Sequence, residues 1–455
     1  MVKHYHLIGI GGIGMSGIAR LLLSRGVKVS GSDAKKSRIT EELKHLGAKI
    51  FIGHQPANID GAELVVYSSA IKKDNPEIKQ ALALGVPLIK RAQALAGLME
   101  DKTVITVAGS HGKTTTTSLV SYLLLEAGQF PTMAIGGILK NIDSNASCGA
   151  GRFFVAEADE SDGSFLYYRP KYSIVTNIDH EHLDYFKTFQ NAVNSFREFL
   201  HKTEEGGCLF CCDDDSQLRQ LLKGYKDRYI LFGLRDSADI YPKNIEINGL
   251  SSTFDCFYKD KFICRFHLAL GGLHNISNSL AVIALGRELG IDLEIIKRAL
   301  KNYQGSQRRL EVKFKNEQYL LIDDYAHHPT EIRATLSAIK ELHPKRIIAV
   351  FQPHRYSRTK LLFEEFIRSF DLADYLIITD IYPASEPPLP GVSAGSLCDK
   401  IKQHAPEKDV KFFPKDNIVE AVMGILKPGD LVVTLGAGDI IRNCDELVER
   451  FKRQG

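Results

Sequence analysis

A β-branched run at 103–108 (TVITVA) leads straight into Gly109-Ser110-His111-Gly112-Lys113-Thr114, and Thr115 opens a helical stretch that reads on to Ala127. Strand, glycine turn and helix in that order make half of a parallel β-α-β unit, so this part of the chain is committed to an α/β sheet. Glycines let the backbone curl with its N–H groups inward. The helix N-terminus adds positive potential, and together they suit a phosphate. Lys113 is placed for the outer phosphates of a nucleotide and the Thr114 hydroxyl for Mg2+. The turn is a short G-x-x-G-K-T form, because Val107 stands where the longer phosphate-loop pattern has its first glycine. The expected nucleotide contacts are Gly109, Ser110, His111, Gly112, Lys113, Thr114 and Thr115.

A second glycine turn lies at the N-terminus. Gly9-Ile10-Gly11-Gly12-Ile13-Gly14 follows the strand-like run 4–10, and Asp33 closes the next strand at the distance of a ribose contact. Alone, this reads as a dinucleotide site. The motif reports a diphosphate on a helix N-terminus, so a UDP group satisfies it equally.

Between these turns, short β runs at 27–30, 49–52 and 64–67 alternate with amphipathic stretches at 14–25 and 38–46, which implies a doubly wound parallel sheet. The central part has further strands at 153–157 and 173–177 and helices at 188–201 and 275–290. The stretch 205–270 reads as an antiparallel addition. A third α/β unit has strands at 318–323, 346–351, 375–379 and 430–435 and its own turn, Gly436-Ala437-Gly438. At about 150 residues per domain, 455 residues make three. The expected boundaries are 1–100, 101–305 and 306–455.

A formal net charge of +3 gives no electrostatic argument for a nucleic-acid partner. The N-terminus lacks a signal-peptide pattern, and no apolar stretch reaches the roughly 18 residues of a membrane span. The eight cysteines then read as reduced thiols, and the expected location is the cytoplasm. A monomer or weak homo-oligomer is expected.

Carboxylates and histidines cluster after the central strands. Glu157 ends one strand and is followed by Asp159, Glu160, Ser161 and Asp162; a carboxylate at that strand end is placed for Mg2+. The next strand runs into Thr176-Asn177-Ile178-Asp179-His180-Glu181-His182, a density of ligands that favours a metal or substrate site, with His182 a partner for a second Mg2+. In the third unit, Asp323-Asp324-Tyr325-Ala326-His327-His328 and Gln352-Pro353-His354-Arg355-Tyr356-Ser357-Arg358 each follow a strand. Paired Arg and His suit an anionic substrate. Arg308 and Arg309 sit at the domain junction, open to two readings: a contact to the γ-phosphate or a solvated linker.

In order and spacing these motifs resemble the Mur ligase family across essentially the whole chain. They are GIGGIGMSGIA at 9–19, GSHGKTTTT at 109–117, EADESD at 157–162, TNIDHEHLD at 176–184, HNISN at 274–278, RRLE at 308–311, DDYAHHPTE at 323–331 and FQPHRYSRT at 351–359. The resemblance implies three domains: a Rossmann-like domain for a UDP-sugar, a P-loop ATPase-type α/β domain, and a Rossmann-like C-terminal domain for the amino acid and part of ATP. It implies an ATP- and Mg2+-dependent ligase joining L-alanine to the lactyl carboxylate of UDP-N-acetylmuramate through an acyl phosphate. A sister activity that attaches a whole tripeptide to the same sugar nucleotide would share nearly every motif.

By position, Gly11, Gly12, Ile13 and Gly14 would hold the UDP part, with Asp33, Ser69 and Ser161 near the substrate. Lys113 would bind ATP phosphates, Thr114 and Glu157 one Mg2+ and His182 a second. His274 and Asn275 would contact adenine, Arg309 the γ-phosphate and Asp324 the ribose. His327, Arg355 and Arg358 would face L-alanine. The general base for the amine is His180 or His327. Sister enzymes carry a carbamylated Lys after the His182 position; the matching region here offers Arg197, so no carbamate is expected and the ligands of the second metal stay open.

Overall fold

A computed structural model describes residues 2–68, 70–384 and 386–454. Ser69, expected near the sugar nucleotide, lies outside the described residues. The chain forms two compact units: 1–243 with 255–266 and 277–304, and 244–254 with 267–276 and 305–455. Three separate sheets carry the three expected α/β domains.

In the first unit, the N-terminal sheet is parallel throughout. Its spatial order is Lys49–Ile52, Lys28–Asp33, His4–Ile8, Leu64–Tyr67, Leu88–Lys90. The chain winds outward on one side of His4–Ile8 and then on the other, so the strand order reverses there. That reversal opens a crevice at the carboxyl ends of the strands, where the glycine turn 9–12 leads into helix Ile13–Ser24.

The ten-stranded sheet is built around Thr103–Ala108, whose neighbours are Phe153–Glu157 and Tyr172–Val175, both parallel to it. These strands are buried on both faces, which accounts for runs such as VITVA and FFVA without a polar alternation. The stretch expected as an antiparallel addition behaves otherwise at first: Cys208–Cys212 and Tyr229–Phe232 extend the parallel sheet, linked by helix Ser216–Leu221. The buried run CLFCC is what a two-sided parallel strand requires. A hairpin not foreseen in the sequence, Thr132–Leu139 with Ser144–Ser147, docks on the first domain. There Asn145 donates to the Ile13 carbonyl (2.7 Å) and to Ser16 Oγ (3.2 Å).

The second unit has a six-stranded sheet ordered Glu311–Lys315, Tyr319–Asp324, Asp430–Leu435, Arg346–Phe351, Tyr375–Ile378, Asp409–Phe412. Only the edge strand Glu311–Lys315 is antiparallel to its neighbour. One core covers each face: Leu336, Phe366, Phe370 and Leu397 on one side, Val422, Leu447 and Phe451 on the other. Among the described residues no helix is long and apolar enough to cross a membrane.

Candidate functional site

The phosphate loop is shaped by two close approaches. Gly109 has φ +129°, and a Cβ there would lie 2.1 Å from Thr176 Oγ1; at Gly112, φ is +81° and a Cβ would meet Asn278 Oδ1 at 2.7 Å. Only glycine satisfies both the dihedral and the space. Lys113 folds back over the loop and donates to the carbonyls of Gly109 (2.6 Å) and Ser110 (3.1 Å) and to Glu160 Oε1 (2.9 Å). Burial works against its charge, but Glu160, Asp159 and Glu157 more than compensate and hold the ammonium above the ordinary lysine range. The lysine therefore stays a cation at neutral pH.

Thr114 and Glu157 meet: Thr114 Oγ1 donates to Glu157 Oε2 at 2.9 Å. The Gly136 N–H donates to the same oxygen at 3.0 Å, and a Cβ on Gly136 would come within 2.3 Å of it. Hydroxyl and carboxylate oxygens side by side at a strand end form a donor set that fits a hard cation such as Mg2+.

The cluster after Tyr172–Val175 divides into two halves. Its first half supports the loop: Thr176 Oγ1 donates to the His111 carbonyl (2.5 Å), the Asn177 side chain bonds both backbone groups of His111, and the Asp179 N–H donates to Ser110 Oγ (2.8 Å). His111 Nε2 lies 2.9 Å from Asp179 Oδ2. In its second half, His182 Nε2 is 3.7 Å from both Glu160 Oε1 and Glu181 Oε2. His180 is exposed, with its ring stacked on Phe189 at 3.9 Å. Arg197 is exposed on helix Phe189–Leu200 and donates to Asn194.

At the N-terminal turn, the N–H groups of Gly9 and Ile10 both donate to the Ser32 carbonyl. Gly11 N–H donates to Asp33 Oδ2 at 2.9 Å, and a Cβ on Gly11 would lie 2.8 Å from that oxygen. Asp33, expected at a ribose, here fastens the glycine turn. A Cβ on Gly14 would meet Arg91 Nη1 at 3.0 Å, and Arg91 Nη2 is 3.3 Å from Asp159 Oδ2. Asp159 Oδ1 also accepts from the Ser161 N–H (3.0 Å).

In the second unit, adjacent arginines have different partners. Arg308 donates to Asp323 Oδ2 (2.9 Å) and to the carbonyls of Gly436 (2.6 Å) and Gly438 (3.3 Å). Arg309 Nη1 is 3.8 Å from Glu331 Oε1, and its guanidinium lies 5.1 Å from the Tyr325 ring centroid. Asp324 is buried and accepts from the N–H groups of Leu310 and Ala326, both at 2.7 Å. Burial pushes its carboxyl up to about 6, with Arg309 and these bonds opposing. Asn275 is buried and donates to the Gly271 carbonyl (2.8 Å), while His274 beside it is exposed.

His327 Nδ1 is 3.2 Å from Glu331 Oε2, and its ring packs edge-on to His354 at 5.6 Å. Arg358 Nη1 lies 3.0 Å from His354 Nδ1. Arg355 sits at φ +69°, with its N–H on the Tyr382 carbonyl. The sequence reading missed Arg91, Gly136 and Asn278; of these only Asn278, inside HNISN, stood in a motif.

Three family models cover the chain in order: "Mur ligase family, catalytic domain" over residues 4–103, "Mur ligase middle domain" over 107–286 and "Mur ligase, glutamate ligase domain" over 308–438. The chain is 46% identical over 452 residues to a UDP-N-acetylmuramate–L-alanine ligase of Geotalea uraniireducens, covering 99% of this chain and 98% of that protein. It is 44% identical over 451 residues to the enzyme of that name from Aquifex aeolicus, covering 98% of each. Among solved structures, the UDP-N-acetylmuramate-alanine ligase of Thermotoga maritima superposes with a TM-score of 0.87 at 29% identity over the whole of both chains. A murein peptide ligase of Psychrobacter arcticus gives 0.74 at 25% identity over 98% of each.

Proposed function

This chain belongs to the Mur ligase family, and from that premise we propose that it joins L-alanine to the lactyl carboxylate of UDP-N-acetylmuramate at the expense of ATP, in cytoplasmic peptidoglycan precursor synthesis. The observation that carries this reading is the charged loop itself: a cationic Lys113 over the phosphate turn, beside the Thr114–Glu157 oxygen pair. Residues 1–100 would take the sugar nucleotide, 101–305 the ATP, and 306–455 the amino acid and part of ATP.

In the first step a carboxylate oxygen attacks the γ-phosphorus. The bond to the bridging oxygen breaks, giving an acyl phosphate and ADP. Lys113 neutralises charge on the transferring group, and Arg309 adds a guanidinium to it. Mg2+ held by Thr114 and Glu157, with His182 near a second ion, would supply further charge neutralisation. In the second step the amine of L-alanine attacks the acyl carbon and phosphate leaves. The attacking amine must be neutral. His327 suits the base because Glu331 holds its ring, whereas His180 is exposed against Phe189. Arg355 and Arg358, with His354, would hold the alanine carboxylate.

Phosphate release from ATP tests the reading. Release that needs Mg2+, UDP-N-acetylmuramate and L-alanine together supports it, and Lys113→Ala should abolish that release. Release with the tripeptide but not with L-alanine moves the chain to the tripeptide-adding activity. Silence with every amine sinks the substrate assignment.

A further inference from the structure

Arg355 stands in a strained backbone conformation. Its φ is +69° and its ψ 138°, a region that in practice belongs to glycine. Both of its peptide groups are tied. The Arg355 N–H donates to the Tyr382 carbonyl at 2.8 Å, and the Arg355 carbonyl accepts from Thr359 twice, from the N–H at 3.1 Å and from Oγ1 at 2.8 Å. Such a dihedral persists only where its surroundings over-determine it, and residues of this kind cluster at functional sites.

The partners come from the proline-rich stretch 382–390, which follows strand Tyr375–Ile378 as 353–355 follows its parallel neighbour Arg346–Phe351. His354 and Tyr382 continue that pairing by one bridge, with the Tyr382 N–H on the Pro353 carbonyl at 2.8 Å and the two rings stacked at 5.6 Å. Gly438 leaves room for the Tyr382 ring, since a Cβ there would come within 2.6 Å of Tyr382 Cγ. Glu386 makes a second anchor. Its Oε2 accepts the Ser357 N–H at 3.0 Å, and its Oε1 accepts from Ser357 Oγ at 2.6 Å. Ser357 lies in the first turn of helix Tyr356–Leu361, and Arg355 precedes that helix. An arginine side chain has no acceptor with which to cap it. The Glu386 carboxylate does so from another part of the chain, through charge-assisted bonds that are stronger than neutral ones. Pro383, Pro387, Pro388 and Pro390 lack N–H groups, so this stretch has few donors of its own to fasten it. Arg355 is thus held between Tyr382 on one side and the Glu386–Ser357 pair on the other.

We propose that Tyr382 and Glu386 form a clamp that sets the direction of the Arg355 side chain for the carboxylate of the incoming amino acid. Both are positioning residues: Tyr382 acts through the Arg355 N–H, and Glu386 acts through Ser357. The assignment rests on the reading of Arg355 and Arg358 as amino-acid ligands. With Glu386 removed, the first turn of the helix loses its acceptor, and Arg355 relaxes toward negative φ with its side chain turned away.

Phosphate release measured against L-alanine, ATP and UDP-N-acetylmuramate in turn, with melting temperatures alongside, tests this in the wild type, Glu386→Ala, Glu386→Gln, Ser357→Ala and the double variant Glu386→Ala with Ser357→Ala. Losing a charge-assisted bond changes affinity by about 10- to 100-fold. Glu386→Ala should raise the KM for L-alanine by about tenfold or more, while kcat at saturating L-alanine and the other two KM values stay within about threefold. Its melting temperature should fall little, because Arg355 gives up its strain as the bonds are lost. Glu386→Gln, which keeps one acceptor oxygen, should recover part of the loss, and Ser357→Ala should lose a smaller factor. The double variant should match Glu386→Ala alone, since one pair of residues carries both losses. An unchanged KM for L-alanine in Glu386→Ala overturns the proposal. Losses that multiply in the double variant also overturn it, because Ser357 would then act elsewhere. Equal rises in all three KM values with a lowered melting temperature would make the clamp an element of the fold alone, which overturns it too. A wild type without alanine-dependent release sinks the underlying substrate reading instead, before any variant is compared.

Discussion

Thr114 Oγ1 and Glu157 Oε2 stand 2.9 Å apart, a helix N-terminus and a strand end brought together by the parallel pairing of Thr103–Ala108 with Phe153–Glu157. In this state the hydroxyl proton occupies the space between the two oxygens. A divalent cation would replace that proton bridge, with both oxygens turned onto the ion. Glu157→Gln keeps the shape and the acceptor but removes the charge. It should raise the Mg2+ concentration needed for half-maximal phosphate release by about 10- to 100-fold, on the scale of changes to metal-site partners. A Mg2+ titration unchanged in Glu157→Gln would remove the residue from the metal site.

Gly109→Ala isolates loop shape from loop chemistry. The new Cβ would sit 2.1 Å from Thr176 Oγ1 at a φ of +129°, so the loop or the strand end must move. Strain of this kind costs about 1–3 kcal/mol. ATP affinity should fall by at least tenfold, while titrations at the N-terminal turn with UDP remain normal. Paired with Thr176→Ser, which keeps the hydroxyl, Gly109→Ala should not recover; paired with Thr176→Ala, it should recover in part. Recovery with both partners would show that Thr176 Oγ1 is not the obstacle.

What could be read from the sequence follows from how local each signal is. The phosphate loop was legible because strand, glycines, Lys113 and helix lie within one short segment. The support that Thr176, Asn177 and Asp179 give that loop was not, because a polar run after a strand reads first as a ligand cluster. Its bracing of Ser110 and His111 depends on a sheet pairing far off in sequence: Thr176 bonds the Ala108 carbonyl from 68 positions away. Leu88–Lys90 spans three residues, too few for a period of two to appear. Arg91 begins an unremarkable helix, and only the fold brings it to Gly14. The stretch 208–232 alternates with turns, but burial on both faces rather than alternation marks its strands.

The N-terminal domain hides a charge whose pH response is measurable. Glu77 is fully buried and accepts from Ser32 Oγ (2.6 Å) and Asn58 Nδ2 (2.5 Å), with His54 Nδ1 at 3.2 Å. Burial alone would raise its pKa, but the His6 ring 3.8 Å away and the bonds from Ser32 and Asn58 bring it down to about 2. Because the folded value lies below the unfolded 4.5, Glu77 contributes its stability above pH 4.5 and loses it as pH falls toward 2. The contribution is on the order of 3 kcal/mol. Denaturant unfolding of Glu77→Gln should show a flatter loss of stability between pH 5 and pH 3 than the wild type, by about 2 kcal/mol, with the rest lost below pH 3. Parallel pH profiles for the two proteins would place the acid sensitivity elsewhere.

Arg308 and Arg309 are indistinguishable in sequence, and the second unit separates them. Arg308 is bonded to buried Asp323 and to two carbonyls of the 436–438 turn; Asp323 in turn accepts from Thr434 Oγ1 at 2.6 Å. Removing the guanidinium leaves Asp323 buried without its cation and two carbonyls without their donor. Breaking such a pair costs about 3–5 kcal/mol. Arg308→Ala should therefore lower the melting temperature sharply, and its activity should fall in proportion to the folded fraction. Arg309 has a longer contact, 3.8 Å to Glu331, and is 28% exposed. A pair this loose and this open to water is worth at most about 1 kcal/mol. Arg309→Ala should melt within a few degrees of the wild type while kcat drops by about 100-fold or more, the scale of losing a guanidinium from a phosphoryl-transfer site. The two variants thus exchange readouts: one falls in stability, the other in turnover. If Arg309→Ala keeps full kcat, the γ-phosphate contact belongs to another residue; if Arg308→Ala melts normally, the bonds to Gly436 and Asp323 do not hold the turn.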